Sequence, residues 1–177
     1  PSEGWRFDNY IYLITHFKIK VTDGTGTPVS ASFAQILLNT IVYAGLGSLI
    51  GAFVPMVTAY MCARFPQYKL SKILYIVVVI VMMLPIVGTY PAQLKLLRDL
   101  GIYDSYIGVL LQKCSFTGTY FLVYFAMVKS VDKSFAEAAY IDGAGEFTVM
   151  FKVYFPLFMN TFFTVVLLLF VAYWNDY

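Results

Sequence analysis

Charge is what this sequence has least of: 12% of its 177 residues are Asp, Glu, Lys or Arg, about half the share usual in soluble domains. With 60% apolar residues and a mean hydropathy of +0.73, the chain belongs in a bilayer. Its formal charge of +2 is small and dispersed, which excludes the basic footprint of a nucleic-acid binder. Cysteine is scarce too. Cys62 and Cys114 lie in or beside apolar runs, so neither a disulfide framework nor a metal site is expected, and both read as buried free thiols. The single histidine, His16, has no cluster of partners and reads as an ordinary polar contact. No nucleophile–base pair or metal-ligand set stands out, so no catalytic or metal residue is assigned, and an intramembrane enzyme or a channel is the weakest reading. The phosphate loop G-x-x-x-x-G-K-[ST] is missing, which excludes this chain as a P-loop ATPase. Gly45 and Gly47 mimic the start of a dinucleotide fingerprint, but no strand precedes them.

What is present is a series of apolar runs. Residues 1–32 are polar and aromatic, with turns at Asp23-Gly24 and Gly26 and anchors at Tyr10, Tyr12 and Phe17. They read as an extracytoplasmic loop or interfacial segment, followed by a transmembrane domain over residues 33–177. Four crossings are expected: residues 32–61, 73–90, 104–128 and 157 onward. The first exceeds the ~20 residues a bilayer core requires, so it should tilt or extend into the interface. Gly47 and Gly51 within it form a G-x-x-x-G that allows close helix approach. Pro85 predicts a kink in the second. Leucines interleaved with Lys95, Arg98 and Asp99 predict a short interfacial helix at 91–101. The fold class is thus an all-α polytopic membrane protein, with about four transmembrane helices plus short interfacial and cytoplasmic helices.

Basic residues set the orientation. Arg64, Lys69 and Lys72 occupy one connection without an acid, so that connection should be cytoplasmic. Four crossings then place residues 1–32 and 90–105 outside and residues 129–156 inside. Lys113 stands out because a lysine within an apolar run is costly unless it snorkels, pairs or faces water. A pore-facing or partner-paired role and plain burial stay equally open, with Gln112, Thr117 and Tyr120 as weaker candidates for the same passage. The 15 tyrosines and 16 phenylalanines could stack on a ligand, but more often mark interface belts and helix packing.

Sequence-specific chemistry is densest at residues 134–156, SFAEAAYIDGAGEFTVMFKVYFP. Ser134 and Glu137 have the S-x-x-E spacing of a capping box, the alanines at 136, 138 and 139 favour helix with little bulk, and Asp142-Gly143 should break it. Glu137-Ala138-Ala139 followed by Asp142-Gly143-Ala144 and a later Pro156 resembles the EAA loop of binding-protein-dependent ABC importer permeases, and is most similar to the carbohydrate type of the maltose-permease kind. Matching positions extend from about residue 38 to the end: Asn39-Thr40, Ala63-Arg64-Phe65, Leu84-Pro85, Leu100-Gly101, Tyr103-Asp104-Ser105 and Trp174-Asn175-Asp176, the last like the family's W-N-D/E segment. Phe155 before the loop's proline and Asn160 in place of a second proline depart from the pattern.

The resemblance implies a multi-pass permease subunit of the bacterial inner membrane, with another helix before residue 1 and another after the W-N-D segment. It implies four partners: a second permease subunit, by family habit a different chain; an ABC ATPase dimer; an extracytoplasmic solute-binding protein; and membrane lipid. The chain would bind no cofactor itself, ATP and Mg²⁺ belonging to the ATPase. Glu137, Ala138, Ala139, Asp142, Gly143 and Ala144 would form the coupling site, Glu137 accepting from a basic group on the ATPase and Gly143 setting the turn. The cargo would be a carbohydrate or oligosaccharide, or else another small solute, since this loop reports coupling and not cargo.

Overall fold

The computed structural model describes residues 7–22, 26–84 and 88–176. Pro85, Asp23-Gly24 and Tyr177 lie outside the described residues. In chain order the elements are α1 (Asp8–His16), β1 (Lys18–Thr22), β2 (Pro28–Ser32), α2 (Phe33–Arg64), α3 (Lys69–Met83), α4 (Tyr90–Asp99), α5 (Tyr106–Lys113), α6 (Thr119–Ser130), α7 (Ser134–Ile141), α8 (Glu146–Val149), a π-helical turn (Met150–Tyr154) and α9 (Phe155–Trp174). The fold is mostly helical, and the all-α expectation needs one correction. β1 and β2 form an antiparallel hairpin, registered from Lys18 opposite Ser32 to Thr22 opposite Pro28. Val21, Val29 and the alternating lysines of β1 suit a pleated, solvent-facing pair.

α2 is the axis. Its 32 residues extend about 48 Å at the helical rise of 1.5 Å per residue. A capping box starts it: the Gln35 backbone N–H donates to Ser32 Oγ (3.4 Å), and the Ser32 N–H donates to Gln35 Oε1 (3.0 Å). Ala44, Ser48, Ala52, Ala59 and Ala63, all buried, keep one face narrow enough for α6 and α9 to lie against it. Between helices in lipid, such close van der Waals contact replaces the hydrophobic drive. The two glycines act as their spacing predicts. A Cβ on Gly51 would sit 3.0 Å from the Tyr173 hydroxyl and 3.2 Å from Leu169 Cδ1, and one on Gly47 would sit 3.3 Å from the Tyr173 ring. Two packed clusters follow along α2. One joins Ala52, Met56 and Ala59 to Val78, Phe121, Tyr124 and Phe162; the other joins Tyr60 and Ala63 to Val128, Ala136, Val149 and Tyr154.

Of the four expected crossings, two are single long helices. Phe33–Arg64 and the continuous helical stretch Glu146–Trp174 are each long and apolar enough to cross a membrane. The second run gives α3, 15 residues ending at Met83, shorter than the ~20 residues of a full span. The third is broken: α5 stops at Lys113, residues 114–118 are not helical, and α6 begins at Thr119. Gly118 at φ +117 makes the break, and Ser115 and Thr117 hydrogen-bond each other through their hydroxyls (3.0 Å) while the Thr117 N–H donates to Ser115 Oγ (3.3 Å).

Smaller expectations were resolved as well. His16 meets Thr15 Oγ1 at 2.6 Å and stacks on Tyr12 with ring centres 4.6 Å apart. The interfacial helix is α4, opened by Pro91 in its first turn, with Leu97 buried and Arg98 4.7 Å from the Tyr103 ring centre. Both cysteines are free, but only Cys62 is buried; Cys114 is exposed at the head of the helix break.

Candidate functional site

Two groups of residues, one at the C-terminal end of α2 and one against its middle, carry the chemistry. The loop at 134–156 is built on α7, which starts one turn after α6 ends. The expected Ser134–Glu137 capping box is absent. Instead Asp132 Oδ1 accepts from the Ser134 backbone N–H (2.9 Å), and this bond holds the Asp132 carboxyl below its ordinary pKa. An acceptor two residues ahead has taken the capping role, and Glu137 is exposed, with no hydrogen bond or ion pair among the described residues.

The end of α7 follows the glycine logic. Gly143 has φ +80, its N–H donates to the Tyr140 carbonyl (3.0 Å), and the Ala144 N–H donates to the Ala139 carbonyl (2.9 Å). That pair of bonds is a Schellman cap, which requires a left-handed residue at the glycine position. Asp142 does not cap α8, whose start at Gly145 has no side-chain acceptor. Tyr140 ties the loop together: its hydroxyl donates to Glu146 Oε2 (2.7 Å), and Arg64 of α2 sits 5.7 Å from its ring centre. Burial, then the Glu146 hydrogen bond, pushes the Tyr140 pKa up.

The loop is therefore anchored on one side and bare on the other. Ala136, Val149, Met150 and Tyr154 are buried against α2 and α6, whereas Glu137 and Ala138 are exposed beside Phe135 (56% exposed), Ile141 (87%) and Phe147 (79%). Ala139 and Ala144 are half-buried. Large apolar side chains on a helical hairpin rarely stand that open without a partner surface. The π turn lies directly before Pro156, which cannot donate to the carbonyl four residues earlier; the widened turn accommodates that missing bond.

The second group surrounds Lys113. Its Nζ lies 3.0 Å from Asp176 Oδ2, 4.2 Å from the Tyr173 ring centre and 5.2 Å from that of Tyr43, and the Tyr43 hydroxyl donates to the same Asp176 oxygen (2.5 Å). Lys113 is half-buried and paired within the chain. The partner is the aspartate of the W-N-D segment, and an acid just past an apolar helix opposite a lysine within an apolar run was the available signal. Lys113, Thr117, Tyr120 and Tyr173 line one cleft of about 460 Å³ at the helix break. Gln112 is exposed and is not among the residues lining it.

Sequence reading missed Pro55, a buried proline inside α2 on the wall of this cleft. Having no N–H, it leaves the Gly51 carbonyl without its usual helical donor, and Gly51 lines the same cleft. Non-helical backbone and freed carbonyls at membrane depth persist where they line a cavity or are covered by protein.

A family model described as "Binding-protein-dependent transport system inner membrane component" matches residues 51–177, which take in the loop, the helix break and Asp176. The chain belongs to that family. Among curated relatives of the permease, a glucose import system permease protein of Saccharolobus solfataricus is 26% identical over 196 residues, covering 98% of this chain and 68% of the relative. The melibiose/raffinose/stachyose import permease protein of Bacillus subtilis is 26% identical over 149 residues, covering 83% and 54%. An sn-glycerol-3-phosphate transport system permease protein of Rhizobium meliloti is 26% identical over 166 residues, covering 93% and 58%. The chain spans 54% to 68% of the length of these three relatives. Family description and long apolar helices together make this permease a membrane protein.

Proposed function

We propose that this permease is one transmembrane subunit of an ATP-driven, binding-protein-dependent importer of carbohydrate, coupled through residues 134–156 to a separate ATPase. The observation that carries the reading is the two-sided loop: anchored by Ala136, Val149 and Tyr154, bare at Glu137, Ala138, Ile141 and Phe147. In this reading Glu137 accepts from a basic group of the ATPase, Ala138 allows close approach, and Asp142-Gly143-Ala144 fix the turn. ATP and Mg²⁺ are held by the ATPase, a solute-binding protein delivers cargo from outside, and a second permease subunit, a different chain, completes the pathway.

The topology is multi-pass in the inner membrane, with the ends of α2 and α6 and the loop cytoplasmic. Supporting it, Arg64, Gln67, Lys129 and Lys133 line a single pocket, so the connections at 64–72 and 129–156 share one end of the molecule. The passage runs by the helix break, with Lys113, Thr117, Tyr120 and Gln112 as its residues. Carbohydrate cargo is supported by relatives named for glucose and for melibiose, raffinose and stachyose import. A phosphorylated small solute is the second reading, favoured by the relative named for sn-glycerol-3-phosphate and by Lys113 on the cleft wall.

The test is reconstitution of the full transporter in proteoliposomes. Glucose, raffinose and sn-glycerol-3-phosphate are supplied with the cognate binding protein, and ATP hydrolysis and uptake are followed. Sugar-stimulated hydrolysis together with sugar uptake supports the first reading, stimulation by the phosphate ester alone supports the second, and hydrolysis indifferent to every cargo overturns both.

A further inference from the structure

Between α2, α6 and α7 lies a pocket that coupling and cargo leave unused. Its volume is about 260 Å³; Arg64, Gln67, Lys129 and Lys133 supply its polar wall, and Val128 and Tyr154 its apolar one. The three cations come from three different places, the last turn of α2, the last turn of α6 and the residue preceding α7, so only the folded chain brings them together. Among the described residues none is ion-paired with a carboxylate. Arg64 lies over the Tyr140 ring and Lys129 over Phe125 (5.6 Å), contacts that orient the cations without neutralising them. Of the neighbouring acids, Asp132 accepts from the Ser134 N–H and Glu146 from the Tyr140 hydroxyl, which also meets Arg64, so neither carboxylate pairs directly with a pocket cation. Three like charges around one cavity repel, and an anion seated among them removes that repulsion.

Position and shape say which anion. The pocket sits where two apolar helices end, the depth at which phospholipid headgroups lie, and basic pockets between helices at such a level suit anionic headgroups. It is concave, with Tyr154 only 2% exposed at its wall. A phosphodiester with a small headgroup can enter it and leave its chains along apolar helix surface such as Val123 on α6, which is 39% exposed. The geometry points to a binding site for the phosphate of an anionic phospholipid, held by Arg64, Lys129 and Lys133 with Gln67 as a neutral donor. The site rests on the multi-pass reading above for its depth, and is independent of the cargo and of Glu137.

The experiment uses the assembled transporter in phosphatidylcholine nanodiscs doped with a phosphatidylglycerol analogue bearing a photoreactive headgroup, with cross-linked peptides located by mass spectrometry. Labels are expected on residues 63–67 and 128–133. Each removed cation should weaken labelling about five-fold, so Lys129→Gln with Lys133→Gln lowers it about 25-fold. Lys129→Arg with Lys133→Arg, which keeps the charge, and Lys69→Gln with Lys72→Gln, outside the pocket, should leave it unchanged. Both glutamine substitutions are on exposed side chains; assembly with the ATPase and an unchanged melting temperature verify that the variants fold. Undiminished labelling in Lys129→Gln/Lys133→Gln, or equal labelling by a photoreactive phosphatidylcholine, overturns the site. Full competition by inorganic phosphate overturns it in favour of a free anion, and labelling that appears only after the ATPase is stripped away overturns it in favour of a protein contact. Lipid labels on α9 but not at the pocket refute the site alone; lipid labels nowhere on the chain refute the multi-pass reading as well.

Discussion

Near the first half of α2, Lys113 is held by Asp176 at 3.0 Å and faces the rings of Tyr43 and Tyr173, whereas at the far end Glu137 stands exposed on α7 without a partner among the described residues. Both side chains are of the charged kinds, of which this chain has few. The difference lies in what surrounds them. Around Lys113 three helices and the W-N-D segment converge and supply a carboxylate and two aromatic rings. Around Glu137 the helix is short, small-residued and flanked by bare Phe135, Ile141 and Phe147. A charge closed within the chain already has its partner; a charge left open beside apolar surface is available to something else.

The largest break in that comparison should come from reversing the open charge. Glu137→Lys is expected to lower ATP-coupled uptake by roughly 30-fold or more, since like charges facing each other across an interface cost several kcal/mol, with the melting temperature of the permease unchanged. Uptake and ATPase pull-down in the reconstituted transporter measure it; full uptake would remove Glu137 from the coupling surface. Next is Gly108, in the helix that carries Lys113. A Cβ there would lie 2.2 Å from the Ile102 carbonyl oxygen, so Gly108→Ala should destabilise by about 2–3 kcal/mol, read by thermal unfolding in detergent. An unaltered melting temperature would show that the Lys113 end is not rigid.

A smaller effect is expected at the ion pair itself. With side chains 18% and 42% exposed, solvent screens the pair, and Asp176→Asn should cost about 1 kcal/mol. In a double-mutant cycle Lys113→Met with Asp176→Asn should cost less than the two single changes summed. Additive losses would mean the pair carries no coupling.

The smallest effect concerns the cap of α7. The folded Asp132 pKa is lowered by the Ser134 N–H, so its contribution is complete above the ordinary carboxylate pKa and lost as pH falls through the lowered folded value. Amide exchange of α7, corrected for intrinsic rates, should rise as pH drops into that acid range, and Asp132→Asn should flatten the dependence. No change with pH would mean the cap does not hold α7.

Much of the open end was legible in sequence, because short-range rules govern it. Glycine at 143 takes the left-handed conformation its place demands, and the narrow face of α2 follows from alanines and glycines at helical spacing. Ser134 misled because Asp132 takes the Ser134 N–H that the Glu137 side chain would have accepted, while the Glu137 N–H goes to the Lys133 carbonyl (3.0 Å), choices that a spacing rule cannot rank. Residues 104–128 read as one crossing because their hydropathy is continuous. The break depends on Ser115, Thr117 and Gly118 offering the backbone other hydrogen bonds and a positive φ, choices that a windowed average conceals. The Lys113–Asp176 pair spans 63 residues of sequence and could be matched only once the helices were packed. Pro55 was overlooked because α2 runs through it, its neighbours covering what proline disrupts.

Cys114 gives the molecule a native reporter at this junction. Within residues 1–177 the only other thiol, Cys62, is buried, so a small maleimide dye would attach at the head of the break without engineering. Fluorescence from that single position, collected while ATP turns over, would time any movement of α5 against α6 in real time.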